Sequence, residues 1–217
     1  MYYDLIAWDF NGTIMDDVKI GLGATNILLR RRGLPEVSLA RYYRIFGFPV
    51  IDYYRRIGFD FEKESYDDVA VEWTVEYTRL EREGALRDGV LPLLAAVQAA
   101  GILQAVLSAS EQGNLCRQLA GLGVSTYFAE VCGRNDVSGA DKSALVLDFA
   151  RRHVGKCMLL IGDTDHDAEC AALAGMDCAL VAGGHQSIER LETVKGARVY
   201  PDFATLRAQL FGGTPLF

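Results

Sequence analysis

A chain of 217 residues, half hydrophobic and 24% charged, is long and apolar enough to bury a sizeable core, which excludes global disorder. Its formal net charge of −7 argues against nucleic acid as a partner, because binding a phosphate backbone needs a basic face. One small phosphorylated ligand stays admissible.

In chain order, residues 5–8 (Leu-Ile-Ala-Trp) read as a buried strand that ends at Asp9 and a Gly-containing turn. Residues 18–84 contain no convincing strand. They read as helices over 18–32, 39–46, 50–57 and 66–83, with Gly33-Leu34-Pro35 and Phe46-Gly47-Phe48-Pro49 as breaks. Strands are then expected at 102–107, near 127–131, at 157–161 and at 178–181, with an edge strand at 198–200. Helical spacing fills 91–100, 112–122, 142–153 and 168–174. Alternation of this kind predicts an α/β fold with a mostly parallel sheet, built from residues 1–17 and 85–217, with an all-helical insertion at 18–84. The hinges are expected near 16–18 and 84–88, and 212–217 as a loose tail. No run approaches the roughly 18–20 apolar residues of a membrane span. The N-terminus has no basic region or cleavage site of a signal peptide. Five cysteines without a CxxC pair are expected to be free buried thiols. A cytoplasmic chain, monomeric or homodimeric, with no membrane partner, is the expectation.

Four constellations sit at strand ends, where ligands bind in parallel sheets. Asp9 closes the first strand in Trp8-Asp9-Phe10-Asn11-Gly12-Thr13; alone, this is ordinary turn chemistry. Ser108-Ala109-Ser110 follows the second strand, where a helix N-cap is the bland alternative. Lys142 opens a helix, the unfavourable end of the dipole for a cation, which hints at an anionic partner. Gly162-Asp163-Thr164-Asp165-His166-Asp167 places three carboxylates within five residues, which calls for a cation; an oxygen-only ligand set favours Mg²⁺. Together they supply a nucleophile, phosphate-binding groups and a metal site, the needs of phosphoryl transfer.

These motifs, in this order, resemble the haloacid dehalogenase superfamily, and within it the phosphoglycolate phosphatase and β-phosphoglucomutase group. The resemblance implies a Rossmann-like parallel core with a helical cap inserted after the first strand, here 18–84. It implies a Mg²⁺-dependent phosphohydrolase acting on a small phosphorylated metabolite through an aspartyl-phosphate on Asp9. It further implies metal ligation by Asp9, the Asn11 carbonyl, Asp163 and Asp167. Phosphate would be held by Ser108, the backbone at Ala109, and Lys142; Gly12 would permit the turn and Thr13 fix the loop.

One departure stands out. Phosphatases of this family usually carry Asp, the general acid and base, where this chain has Asn11. Such catalysis is worth about 10²–10⁴-fold. Three readings stay open: another group (Asp16, Asp17, Asp165, His166 or a cap residue) substitutes; the leaving group is good enough to need no acid; or the protein binds a phosphorylated ligand without turnover, with a sugar-phosphate phosphotransferase or mutase as a further alternative. The cap arginines, Arg44 among them, read either as contacts to the rest of a substrate or, for most, as solvated faces. Its tyrosine pairs read as helix–helix packing, and His153 and His185 as surface or satisfied histidines.

Overall fold

The computed structural model describes residues 2–81, 84–138 and 141–212; the expected tail beyond 212 and the loop residues 139–140 lie outside that range. Six parallel strands form one sheet: β1 (Leu5–Trp8), β4 (Leu103–Glu111), β5 (Glu130–Arg134), β6 (Met158–Gly162), β7 (Asp177–Val181) and β8 (Arg198–Tyr200), in the order β5-β4-β1-β6-β7-β8. β1 is central, with Leu5 opposite both Leu103 and Met158 and Trp8 opposite Val106 and Ile161. The chain runs outward from β1 to β5 and then crosses back to β6, so a topological switch lies at the carboxyl end of β1, where such sheets bind ligands.

β1 and β6, at the centre, read as unbroken apolar runs because both faces are buried, whereas the edge strands β5 and β8 carry charged residues and are only partly buried. Ile6, Trp8, Val106, Leu159 and Ile161 point to one side, against α5 (Val90–Ala99), α6 (Gln112–Gly121) and α10 (Phe203–Phe211). Leu5, Ala7, Leu107 and Leu160 point to the other, against α7 (Ser143–Arg152) and α8 (Asp165–Ala174). A short helix, α9 (Ile188–Leu191), precedes β8.

Residues 18–80 are helical as expected: α1 (Val18–Arg31), α2 (Leu39–Ile45), α3 (Val50–Ile57) and α4 (Tyr66–Leu80). They enclose an apolar cluster of their own around Leu28, Leu29, Tyr53, Tyr54 and Ile57. Arg31 and Arg32 of α1 and its end bind Glu72 and Glu76 of α4 at 2.6–2.7 Å. These arginines are therefore tied up between helices rather than presented to a ligand. Where the block leaves and rejoins the sheet, β2 (Met15–Asp16) and β3 (Ala85–Leu86) pair as a small antiparallel ribbon. Two-residue strands carry no periodicity, so the sequence showed only polar hinges there.

Three expectations need correction. β4 extends to Glu111, past Ser108, with a register irregularity between Leu107 and Glu111. The N-cap of α6 is Glu111, whose carboxylate accepts from the N–H groups of Gly113 and Asn114 at 2.8 Å; Ser108 is not a cap. α8 begins at Asp165, three residues earlier than expected, because acidic side chains in a first turn complement the helix dipole. All five cysteines are free, but only Cys170 and Cys178 are buried; Cys116 and Cys157 are exposed. Among the described residues no helix is long and apolar enough to cross a membrane.

Candidate active site

The ladder between β1 and β6 continues one step beyond the strand: Asp9 N donates to Ile161 O at 2.8 Å. That step places Asp9 beside the residues that follow β6. There, a side chain on Gly162 would collide with Asp167; its absence lets Asp167 fold back over the strand end. One Asp167 oxygen accepts from Asp163 N (3.2 Å), Thr164 N (3.0 Å) and Thr164 Oγ1 (2.7 Å). The other forms an ion pair with Lys142 Nζ at 2.7 Å. Lys142, at the N-cap of α7, is buried, and its ammonium also donates to Asp9 Oδ1 and, at 3.3 Å, to Leu107 O. Lys142 is therefore not a solvated surface lysine.

Asp9, Asp163 and Asp167 each offer an oxygen within 4.8 Å of the others. Burial pushes the Asp9 carboxyl up to about 8; Lys142 opposes this, while Asp167 and Asp163 add to it. Burial raises Asp163 as well, with His185 only partly offsetting it. Lys142 goes the other way: burial would lower it, but the Asp167 and Asp9 carboxylates hold it well above its ordinary value. Lys142 thus pairs with two of the three carboxylates and leaves Asp163 without a direct ion pair among the described residues, and a cluster of hard carboxylate oxygens fits a divalent cation such as Mg²⁺.

Thr13 and Gly12 are buried and turn away from the ligand side. Thr13 Oγ1 donates to Asp163 Oδ1 at 2.7 Å, and Gly12 N donates to Asp17 Oδ1 at 2.7 Å. Gly12 has φ +74°, and a Cβ there would strike Asp163 and His185, so this position requires glycine. Arg87 braces the turn from below, donating to Gly12 O at 2.7 Å and to Ala182 O.

Asn11 is locked at both ends. Its Nδ2 donates to Asp17 Oδ2 (2.7 Å) and Tyr77 Oη (3.0 Å), while its Oδ1 accepts from Ser110 Oγ (2.7 Å). Tyr77 Oη in turn donates to Asp17 Oδ2 at 2.7 Å. The buried His185 imidazole reaches Asp17 Oδ1 through Nε2 (3.2 Å) and Tyr42 Oη through Nδ1 (2.7 Å), and its backbone N donates to Asp163 Oδ2 at 2.6 Å. Burial alone would lower His185, yet Asp17, then Asp163 and Asp9, push it up to about 9. Burial alone would raise Asp17, yet His185, Asn11 and Tyr77 hold it below its ordinary value. Asp17→Ala would leave a buried imidazolium and three donors without their acceptor. Losing one partner of a buried pair costs about 3–5 kcal/mol; urea unfolding should show a lowered midpoint, and an unchanged midpoint would refute this pairing.

Of the two readings of His185, the satisfied histidine holds and the surface one does not: it is a buried link between the sheet and the helical block. Its one sequence signal is its place just after Gly183-Gly184, at the end of the strand expected at 178–181. Of the suggested substitutes for the missing acid, Asp16 is exposed in the ribbon and Asp165 pairs with Arg190 at 2.6 Å. His166 pairs with Asp141 at 3.0 Å and stacks on Phe48.

Above this cluster lies a cavity of about 180 Å³. Its floor includes Asp9, Asn11, Ser108, Ala109, Lys142 and Asp167, whereas Gly12, Thr13 and Asp163 sit behind it. Its roof is aromatic, with Tyr42, Phe46, Phe48, Tyr53, Trp73 and Tyr77 from the helical block. The block tyrosines therefore line a cavity as well as pack helices. Among the described residues no arginine of the block, Arg44 included, lines it.

The model of the family described as haloacid dehalogenase-like hydrolase matches residues 6–181. The tyrosine-protein kinase PtkA of Mycobacterium tuberculosis is 27% identical over 187 residues, covering 83% of this chain and 62% of its own length. This chain thus spans about three-fifths of the mycobacterial relative. A 5'-nucleotidase of Pseudomonas aeruginosa is 28% identical over 216 residues, covering 96% of each chain. A haloacid dehalogenase-like hydrolase from Streptococcus pneumoniae superposes with a TM-score of 0.82 at 16% identity, over 96% of this chain and 98% of that one. The parallel sheet, the acidic cluster at its carboxyl end and a family match running from β1 to the end of β7 agree: this chain belongs to the haloacid dehalogenase-like hydrolase family.

Proposed function

We propose that the protein is a Mg²⁺-dependent phosphohydrolase acting on a small phosphorylated metabolite, with residues 1–17 and 85–217 as catalytic core and 18–84 as cap. The observation that carries this reading is Asp9, buried at the cavity floor and held by Lys142 beside Asp163 and Asp167. Lys142 binds Asp9 Oδ1, which orients the carboxylate and leaves its second oxygen to attack phosphorus. Lys142, Ser108 and the backbone at Ala109 then bear on the phosphoryl oxygens as charge develops. Asp9, the Asn11 carbonyl, Asp163 and Asp167 would hold Mg²⁺, which when bound supplies positive charge for the transferring group. The aromatic roof excludes bulk water from the ester.

The test is release of inorganic phosphate from p-nitrophenyl phosphate. Mg²⁺ should support it, and chelation should lower it by at least about 10²-fold, restored on re-adding the ion. Turnover that is indifferent to chelation would refute the metal assignment. A phosphotransferase reading draws on the locked Asn11, which cannot take a proton from attacking water, and on the kinase name of the mycobacterial relative. A transferase would show phosphate on an added acceptor, or an isomerised sugar phosphate, with little free phosphate.

A further inference from the structure

We propose that the ester cleaved in this cavity is a phenyl-type phosphate, in which the leaving oxygen is carried directly by an aromatic ring. This rests on the phosphohydrolase reading and names its substrate class.

Two independent observations point there. The first is the shape and chemistry of the leaving-group side. Phe46, Tyr42, Tyr53, Trp73 and Tyr77 face the cavity, and the lysine and histidines that reach it (Lys142, His166 and His185) are all engaged by core groups. Among the described residues no arginine lines it, so the roof offers no free cation to a second phosphate or a carboxylate, but ring faces and edges to a flat apolar group.

The second is that the carboxyl, imidazole and amine groups lining the cavity are already committed. Asn11, two residues after the nucleophile, is an amide and has no acidic proton to transfer. Asp17 accepts from Gly12 N and His185 on one oxygen and from Asn11 and Tyr77 on the other. Glu111 caps α6 with both oxygens. Glu81 pairs with Arg117 through one oxygen and accepts from Gln118 Nε2 at 2.7 Å through the other. The Ser110 hydroxyl is donated to Asn11, and His166 lies between Asp141 and Glu169. Tyr53, which lines the cavity and whose buried hydroxyl has no hydrogen-bond partner among the described residues, is a phenol and a weak acid, so a leaving group that departs here receives no proton from an acidic side chain.

Chemistry then selects the ester. An alkoxide is the base of an acid about as weak as water, with a pKa of about 15.7, whereas a phenol ionises near a pKa of about 10. The Asp9 carboxylate adds to phosphorus, the P–O(aryl) bond breaks, and the phenolate leaves with the electron pair to be protonated later by solvent. Water then adds to the phosphoryl group. The Asp9 carboxylate departs, itself a good leaving group, and dihydrogen phosphate is formed. Neither step needs a side-chain proton.

The experiment is a leaving-group series, in which phenyl phosphate is compared with benzyl phosphate and adenosine 5'-monophosphate. All three carry aromatic rings, but only the first leaves as a phenolate. Wild type and Asn11→Asp are measured, with Asp9→Asn as the blank. In wild type, kcat/KM should fall by about 10²–10⁴-fold from phenyl to benzyl phosphate, the size of the missing acid contribution; in Asn11→Asp the gap should narrow to about tenfold. Wild-type turnover of benzyl phosphate or adenosine 5'-monophosphate within about tenfold of phenyl phosphate would overturn the inference, because an acid would then be present. The wild-type series decides the matter even if Asn11→Asp, which sets a second carboxylate against Asp17, fails to fold. Absence of Asp9-dependent turnover on every ester would instead refute the phosphohydrolase reading.

Discussion

Asp9→Asn should release no measurable phosphate while folding normally. Removal of a nucleophile that acts with its neighbours as a unit costs on the order of 10⁴–10⁶-fold in turnover. The substitution keeps size and shape and deletes a charge that the fold accommodates poorly, since burial holds the Asp9 carboxyl up at about 8. A raised carboxyl pKa means that the folded state disfavours the ionised form, so stability is lost as pH climbs from the ordinary value toward about 8. In the absence of metal, Asp9→Asn should therefore melt at or above the wild-type temperature at pH 7.5. Added Mg²⁺ should raise the wild-type melting temperature by mass action and raise that of the variant less. An inactive variant that melts well below wild type would show Asp9 to be a structural anion rather than the attacking group.

Lys142→Met should be both inactive and unstable. The ammonium joins Asp9 and Asp167 in a buried site, and methionine replaces its stem but not its charge. Removing one partner from a buried ionic cluster costs about 3–5 kcal/mol. For a chain of this size that is a fall in melting temperature of roughly 6–20 °C. The deficit should shrink as pH falls from 8 toward 5, because the carboxylates left behind can then take up protons. Mg²⁺ should recover part of the stability, since it supplies charge to the same oxygens, but not the activity. A melting temperature within a degree of wild type would show that Lys142 is not the counter-charge of this cluster.

The order of strands and helices was legible along most of the chain because the central strands β1 and β6 are short apolar runs closed by Asp or Gly, and burial on both faces leaves them no polar interruption. The helical insertion was equally plain, since Gly33-Leu34-Pro35 and Phe46-Gly47-Phe48-Pro49 break a 3.6-residue periodicity at the observed helix ends. The ribbon of Met15–Asp16 with Ala85–Leu86 was not legible: a pairing of two residues with two, almost seventy positions apart, has no periodic signature. The run of β4 through Ser108 to Glu111 was hidden because polar residues there face a cavity rather than solvent.

The strand-end carboxylates, the lysine and the amide at position 11 can be read from the chain alone, because residue type and place at the end of an apolar run need no knowledge of neighbours. What surrounds that amide follows from long-range packing. Asp17, Tyr77, Ser110 and His185 come from four separate parts of the chain, and each reads alone as a hinge, a helix face, a strand end or a loop. Their meeting depends on how the helical block sits over the sheet and on hydrogen bonds satisfied across it, which no local pattern encodes. Whether a polar side chain holds a transferable proton or is already committed is set by those long-range partners.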